Sequence, residues 1–338
     1  MSKAKSKNKK WPAMIGAETP EALIETFLNN PKRLKSAEKY RSDLKLFARW
    51  LSKTVLGREI DSPAYVAECL ITGQHGFAHT IVQRYCVEMQ AQHRRHGSTI
   101  QRHLSAIRGL ILAAKMLNVV TWSLEIRAPK TIQYADVIGA SFETIVQMIK
   151  LARANVNNYL AARDSAILEL MLTNGLRSCE VISLRLCDVD LKQGVLRILR
   201  KGATQRTPIL IGESFQLLDS LKRWRRERGK SKGKLAFFCS GNARSKGKFE
   251  PLTHSGLYYM VKKYSAHPSI EEYVHPHGIR HTAITRAARH CNDIGELQQF
   301  SGHKDIRTVM IYWDLAKNAS GLASAGISAE IEQALSRS

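Results

Sequence analysis

Through the first third of the chain, apolar residues recur every three or four positions, the period of amphipathic helices. "ETPEALIETFLNN" offers Thr19 as N-cap and Pro20 as the first helical residue, with Leu23, Ile24, Phe27 and Leu28 on one face. "SAEKYRSDLKLFARWLSKT" repeats the pattern and turns Tyr40, Leu44, Phe47 and Leu51 inward. Two further helices are expected near 63–72 and 78–95. In "STIQRHLSAIRGLILAAKML", Ser98 reads as a cap and Ile100, Leu104, Ile107 and Ile111 as the buried stripe. Arg102, Arg108 and Lys115 fall off that stripe. The pattern predicts a bundle of four or five helices over 17–125 with basic outer faces. Any one basic helix face, by itself, signifies only solvation.

The helical period is lost over 126–140, "IRAPKTIQYADVIGA", which reads as a linker around Pro129. From 141 to 338 the pattern is mixed. "FETIVQMIKLA" and "YLAARDSAILELMLTNG" are helical, the second stopping at Gly175. "GVLRILRKGATQRTPILI" reads as two strands around a polar turn at Lys201–Gln205. "GESFQLLDSLKRWRRER" starts as a helix and runs into "GKSKGK", part of a basic stretch over 222–248. An apolar "LAFFCS", a helix at 255–264 and several short helices follow.

Composition narrows the class. With 338 residues, 44% of them hydrophobic, the chain can bury about two cores. Its net charge of +23, from 52 Lys and Arg against 29 Asp and Glu, favours a polyanionic partner, nucleic acid first. An anionic membrane surface is the weaker alternative, since no apolar run is long enough to span and no leader is visible. The lysine-rich 1–16 reads as a flexible tail. Six scattered cysteines without a C-x-x-C pair argue against a zinc ribbon or a disulfide framework and fit a reducing cytoplasm. No glycine-rich nucleotide loop occurs.

Candidate chemistry is densest in "HPHGIRHTAITR", residues 275–286. His277 and His281 stand four apart, a spacing that can hold zinc. His277 and Arg280 stand three apart, which equally suits two donors on an anionic oxygen. Elsewhere, "TNGLRSCEVISL" holds Arg177 and Glu180, the hairpin turn holds Lys201, and "SGHKDIRTVMIYW" holds His303 and Tyr312. Each has an ordinary reading alone: a surface ion pair, a solvated lysine, a core tyrosine.

In their order, Arg177, Lys201, His277-x-x-Arg280, Gly302-His303 and Tyr312 resemble the catalytic signature of the tyrosine recombinases, the phage-type integrases. "NGLRSCEV" resembles the family's first arginine box, "HGIRHT" its H-x-x-R-H box, and "GHKDIRTVMIY" its Gly-His box with the tyrosine nine residues on. The resemblance covers roughly 140–315. It implies a mainly α fold: a helical core-binding domain, then a mostly helical catalytic domain with a small antiparallel sheet. It also decides the question above for phosphate, since no third ligand stands near His281. No cofactor and no metal are expected. By the resemblance, Tyr312 attacks the scissile phosphate to form a 3′-phosphotyrosyl link. Arg177, Arg280 and His303 hold the non-bridging oxygens, His277 assists proton removal and Lys201 is the general acid. Glu180 is expected to orient His277 or the arginines, and His281 to make a structural hydrogen bond. His275 is left as a solvated loop residue, and Trp313 as packing.

Such chemistry suits these residue types. Cleaving a phosphodiester without metal needs fixed cations where negative charge grows, and guanidinium is always charged and forked. The expected activity is site-specific recombination of double-stranded DNA. A type IB topoisomerase with the same residue set is the alternative, and a DNA-binding module with vestigial chemistry a third. The resemblance further implies a homotetramer in the synaptic complex, with or without accessory proteins. The amphipathic C-terminal segment with Ile327, Ile331 and Leu335 would dock between protomers.

Overall fold

Thr19 adopts extended backbone and its hydroxyl accepts the Ala22 N–H at 3.1 Å, opening helix α1 (Pro20–Leu28) as expected. In a computed structural model, the structure describes residues 18–31, 34–91, 97–127, 139–200, 203–211, 215–229, 233, 235–240 and 250–318. Lys201, the tail, most of the linker, parts of the basic stretch and the C-terminal segment with Ile327, Ile331 and Leu335 lie outside these residues. Two compact units divide the chain between Ile132 and Gln133.

The first unit is all helix: α1, then α2 (Ala37–Leu56), α3 (Pro63–Thr72), α4 (Gln74–Ala91) and α5 (Gly97–Met116). Its core is the apolar stripe of each helix, with Leu23, Phe27, Leu44, Phe47, Leu51, Leu104 and Ile107 fully buried. Two details differ from the sequence reading. Ser98 is the second residue of α5 and not its cap, and α4 begins four residues before position 78. Arg102, expected to lie off the buried face, reaches the buried Asp43 with two nitrogens at 2.9 Å. A helix-surface cation thus closes over a carboxylate that the core could not leave unpaired.

The second unit is built around α7 (Asn158–Asn174), whose residues Ala161 to Met171 are all buried. A helix covered on every side is a core helix. Its neighbours are α6 (Phe142–Arg153), α9 (Phe215–Glu227) and α11 (Pro276–His290). Between α7 and α9 come the short α8 (Ser178–Ile182) and an antiparallel sheet of β1 (Val189–Asp190), β2 (Val195–Ile198) and β3 (Thr207–Leu210) in that order. The expected two-strand hairpin is present, with Leu196 opposite Ile209, and β1 extends it. From the basic stretch, Arg228 is buried and donates to the carbonyls of Ala236 and Phe237, so one of its cations is structural. Then come α10 (His254–Ser265), α11, α12 (Ile294–Ser301) and α13 (Ile306–Asn318). Among the described residues no helix is long and apolar enough to cross a membrane.

Candidate active site

Four helix ends and one helix face make the site. Helix α7 stops at Gly175, whose φ of +59° is the left-handed conformation that glycine adopts without strain. The chain then turns, so Arg177 becomes the N-cap of α8. Glu180, fully buried in the first turn of α8, accepts the Arg177 backbone N–H at 2.9 Å and its Nη1 at 3.0 Å. Glu180 therefore orients Arg177.

Helix α11 starts one residue after His275, whose Nδ1 accepts the Gly278 N–H at 3.1 Å. His275 is exposed, as expected of a solvated loop residue, and is in addition the N-cap of α11. Pro276 at the first helical position fixes the start. One turn on, Arg280 is only 1% exposed. Its Nη1 donates to the Gly175 carbonyl at the end of α7, and its Nη2 to the Ser301 carbonyl at 2.6 Å. The free carbonyls at helix C-termini carry partial negative charge and hold this cation without a carboxylate. The turn at Gly302, with φ of +60°, continues the arrangement: its carbonyl accepts Arg177 Nη2 at 3.4 Å.

Tyr312 is buried on α13 at the face it shares with Val309 and Ala316. Two imidazoles lie near its ring, with centroids 5.9 Å away for His303 and 5.7 Å for His281. The phenol oxygen is 2.5 Å from His281 Nδ1. His303 Nε2 is 3.3 Å from Arg280 Nη2. His277, exposed, packs edge-on against His281 with centroids 4.3 Å apart. The imidazole against the phenol is that of His281; the expectation had given this place to His277.

Electrostatics follow from burial and crowding of positive charge. Burial, then the Arg177 charge, lowers the Arg280 pKa to about 10. Burial, followed by Arg280 and Arg177, pushes His303 down to about 4, so its imidazole is neutral at pH 7. Burial raises the Tyr312 phenol to about 12, against the pull of Arg280 and Arg177. Arg280 Nε and His303 Nδ1 are buried without a hydrogen-bond partner among the described residues. Buried polar atoms in a folded protein are seldom left so, and donors of this kind fit an anionic oxygen. Among the described residues no three His, Cys, Asp or Glu side chains gather in a metal-binding group.

The family model of the phage integrase family matches residues 141–319, more than half of the chain. The chain belongs to the phage integrase family. Its activity is that of a tyrosine-type site-specific DNA recombinase, and nothing in these relationships supports the topoisomerase alternative. A tyrosine recombinase of Synechococcus elongatus is 28% identical over 302 residues, covering 88% of this chain and 90% of that protein. Tyrosine recombinase XerC of Xanthomonas axonopodis pv. citri is 28% identical over 281 residues, covering 82% and 85%. Among solved structures, the XerH site-specific recombinase bound to palindromic difH substrate shares the fold with a TM-score of 0.61. Its identity is 17%, over 90% of this chain and 96% of that one. A lambda integrase dimer bound to a COC′ core site also has a TM-score of 0.61, at 13% identity, over 87% and 93%.

In this recombinase the structure brings together Arg177, Glu180, Arg280, His281, His303 and Tyr312, with His277 at the edge. Sequence reasoning missed Arg200. Its Nη2 donates to the Gln299 carbonyl at 3.1 Å, in the same turn that holds Arg177 and Arg280. The only signal was its place beside Lys201. The exposed hydroxyls of Tyr258 and Tyr273 lie 2.7 Å apart in a concavity that His277 and Ser178 help to line.

Proposed function

We propose that Tyr312 is the nucleophile that cuts double-stranded DNA and that Arg177, Arg280 and His303 hold the scissile phosphate. The carrying observation is the burial of the phenol with its hydroxyl on His281 and its ring near His303, close to a guanidinium anchored to two helix ends. The phenolic oxygen bonds to phosphorus as the bond to the 5′-oxygen breaks, leaving a 3′-phosphotyrosyl link and a 5′-hydroxyl. With its pKa raised to about 12, the phenol needs a base, and His281 Nδ1 is placed to take the proton. The neutral His303 and the forked arginines bind the non-bridging oxygens, whose charge grows in the transition state. Lys201 supplies the proton to the leaving oxygen, in keeping with the family resemblance.

The 5′-hydroxyl of a second strand reverses the reaction, so exchange between two duplexes takes four sites and a homotetramer on DNA. The C-terminal segment with Ile327, Ile331 and Leu335 is the element that would link protomers. The helical first unit serves as the core-binding domain.

Adduct formation on a nicked suicide duplex, bearing the site selected from randomised DNA, tests the reading. Wild type should become covalently linked with or without a chelator. Tyr312→Phe should form no adduct while binding DNA within a few-fold, having lost one oxygen and no charge. An adduct formed by Tyr312→Phe, or loss of cleavage on chelation, would refute it.

A further inference from the structure

Just beyond β2, Arg200 crosses to the C-terminal end of α12 and donates to the Gln299 carbonyl. Two other guanidiniums are bound to the same end, Arg280 on the Ser301 carbonyl and Arg177 on that of Gly302. Three cations thus share the last carbonyls of one helix, where the helix dipole is negative and no intrahelical donor remains. Gly302 has a φ of +60°, which favours glycine, and a Cβ there would collide with the Arg200 guanidinium and force it to move. Arg200 is partly buried, and among the described residues no carboxylate pairs with it. Burial lowers its pKa; Glu180 opposes this and Arg177 adds to it. The Arg200 charge in turn reaches Arg280.

A cation held in this way costs desolvation with no ion pair to offset it. A solvated side chain would meet no such cost, so its place at the turn calls for a reason in the site. We propose that Arg200 is a positioning residue of the phosphate site, clamping the Gln299–Gly302 turn from the hairpin side. By fixing that turn it fixes the carbonyls that aim Arg177 and Arg280, and it sets the start of the segment carrying His303. The proposal rests on the phosphate-site reading given above. It adds a residue that neither the family resemblance nor the residue order assigns.

The test compares Arg200→Ala, Arg200→Lys and wild type in single-turnover adduct formation on the nicked duplex. Each is assayed with an ordinary scissile phosphate and with a methylphosphonate, which lacks the charge that the arginines neutralise. Displacing two phosphate-binding guanidiniums by an ångström or less should slow Arg200→Ala cleavage on the order of ten- to a hundredfold at saturating DNA. DNA affinity and melting temperature should stay at wild-type values, and Arg200→Lys should recover part of the rate. On the methylphosphonate the defect should shrink to about threefold or less, because aiming the arginines no longer matters there.

Wild-type cleavage rates in Arg200→Ala would overturn the proposal. So would an equal defect on both substrates, the mark of a purely structural role. Weakened binding with a salt slope smaller by about one would make Arg200 a direct phosphate contact and likewise overturn it. As a second measure, Gly302→Ala should cost less in the Arg200→Ala background, since the collision is gone; strict additivity would count against the clamp. Failure of wild type itself to form an adduct would overturn the nucleophile assignment, and the wild-type reaction alone reveals that.

Discussion

Among the described residues of the helical first unit, the buried polar side chains are Asp43, Ser52 and His103. All are satisfied locally: Asp43 by Arg102, His103 by the Tyr85 hydroxyl at 2.9 Å, Ser52 by the Ile60 N–H at 2.8 Å. The second unit buries many more, and they fall into two kinds. Arg163 with Asp164, both on α7, and Arg153 of α6 with Glu169 of α7 are matched ion pairs, and the buried Arg228 is held by the carbonyls of Ala236 and Phe237. Arg280 is also held by backbone carbonyls, but unlike these it meets the His303 imidazole at 3.3 Å, and its Nε has no partner among the described residues. A helical bundle needs only apolar stripes and a few satisfied polar groups to fold. A phosphate site needs cations already desolvated and aimed before DNA arrives, and the fold has to carry that cost.

The contrast is most exposed at Arg280. Arg280→Met, of similar length but without charge, should cut adduct formation by at least about a hundredfold. Its melting temperature should change little, since loss of the desolvated charge offsets the donors lost by the Gly175 and Ser301 carbonyls. A variant that lost stability and kept its cleavage rate would erase the distinction between the two kinds of buried charge.

Next in size is the histidine assignment. Removing a general base generally costs about a hundredfold or more, so His281→Gln should slow cleavage at pH 7 by that order and His277→Gln by less. Raising the pH should narrow the His281→Gln gap as hydroxide takes over the proton. The opposite ranking of the two variants would return the role to His277.

In the first unit the expected effect is on stability alone. Leu104 is fully buried, and Leu104→Ala should destabilise that unit by about 2–5 kcal/mol in denaturant unfolding. Cleavage at saturating DNA should hardly change. A large rate defect there would show that the first unit also shapes the chemistry.

The smallest effect is a pH slope. His303 is held down to about 4 from 6.5, so between those values the unfolded chain takes up the proton first. Its contribution to stability is present above pH 6.5 and is lost as the pH falls towards 4. Urea midpoints at pH 7 and 5 should therefore differ less in His303→Gln than in wild type. Equal differences would mean that the imidazole is not desolvated.

Much of this molecule was legible in the order of its residues. The stripes of α1 and α2, the Thr19 cap, the Gly175 stop and the β2–β3 hairpin follow from local rules of period, capping and turn chemistry. Arg177, Arg280, His303 and Tyr312 stood out because their order and spacing resemble the tyrosine recombinase signature, whereas each alone had an ordinary reading. The Tyr312 reading as a core residue was also sound: the phenol is buried with Val309 and Ala316 and still faces the imidazoles.

What the sequence determined by itself was the inventory of chemistry and the helical elements that carry it, since both depend on side-chain type and short spacing. Tertiary structure alone decided that His281 meets the phenol, that His275 caps α11, and that Arg200 joins Arg177 and Arg280 at the end of α12. The physical reason lies in the partners involved. The groups that hold Arg200 and Arg280 are the carbonyls of Gln299, Ser301 and Gly175, and every residue has a carbonyl, so no residue type announces them. Only the packing of α7, α11 and α12 in space brings those particular helix ends to the same guanidiniums.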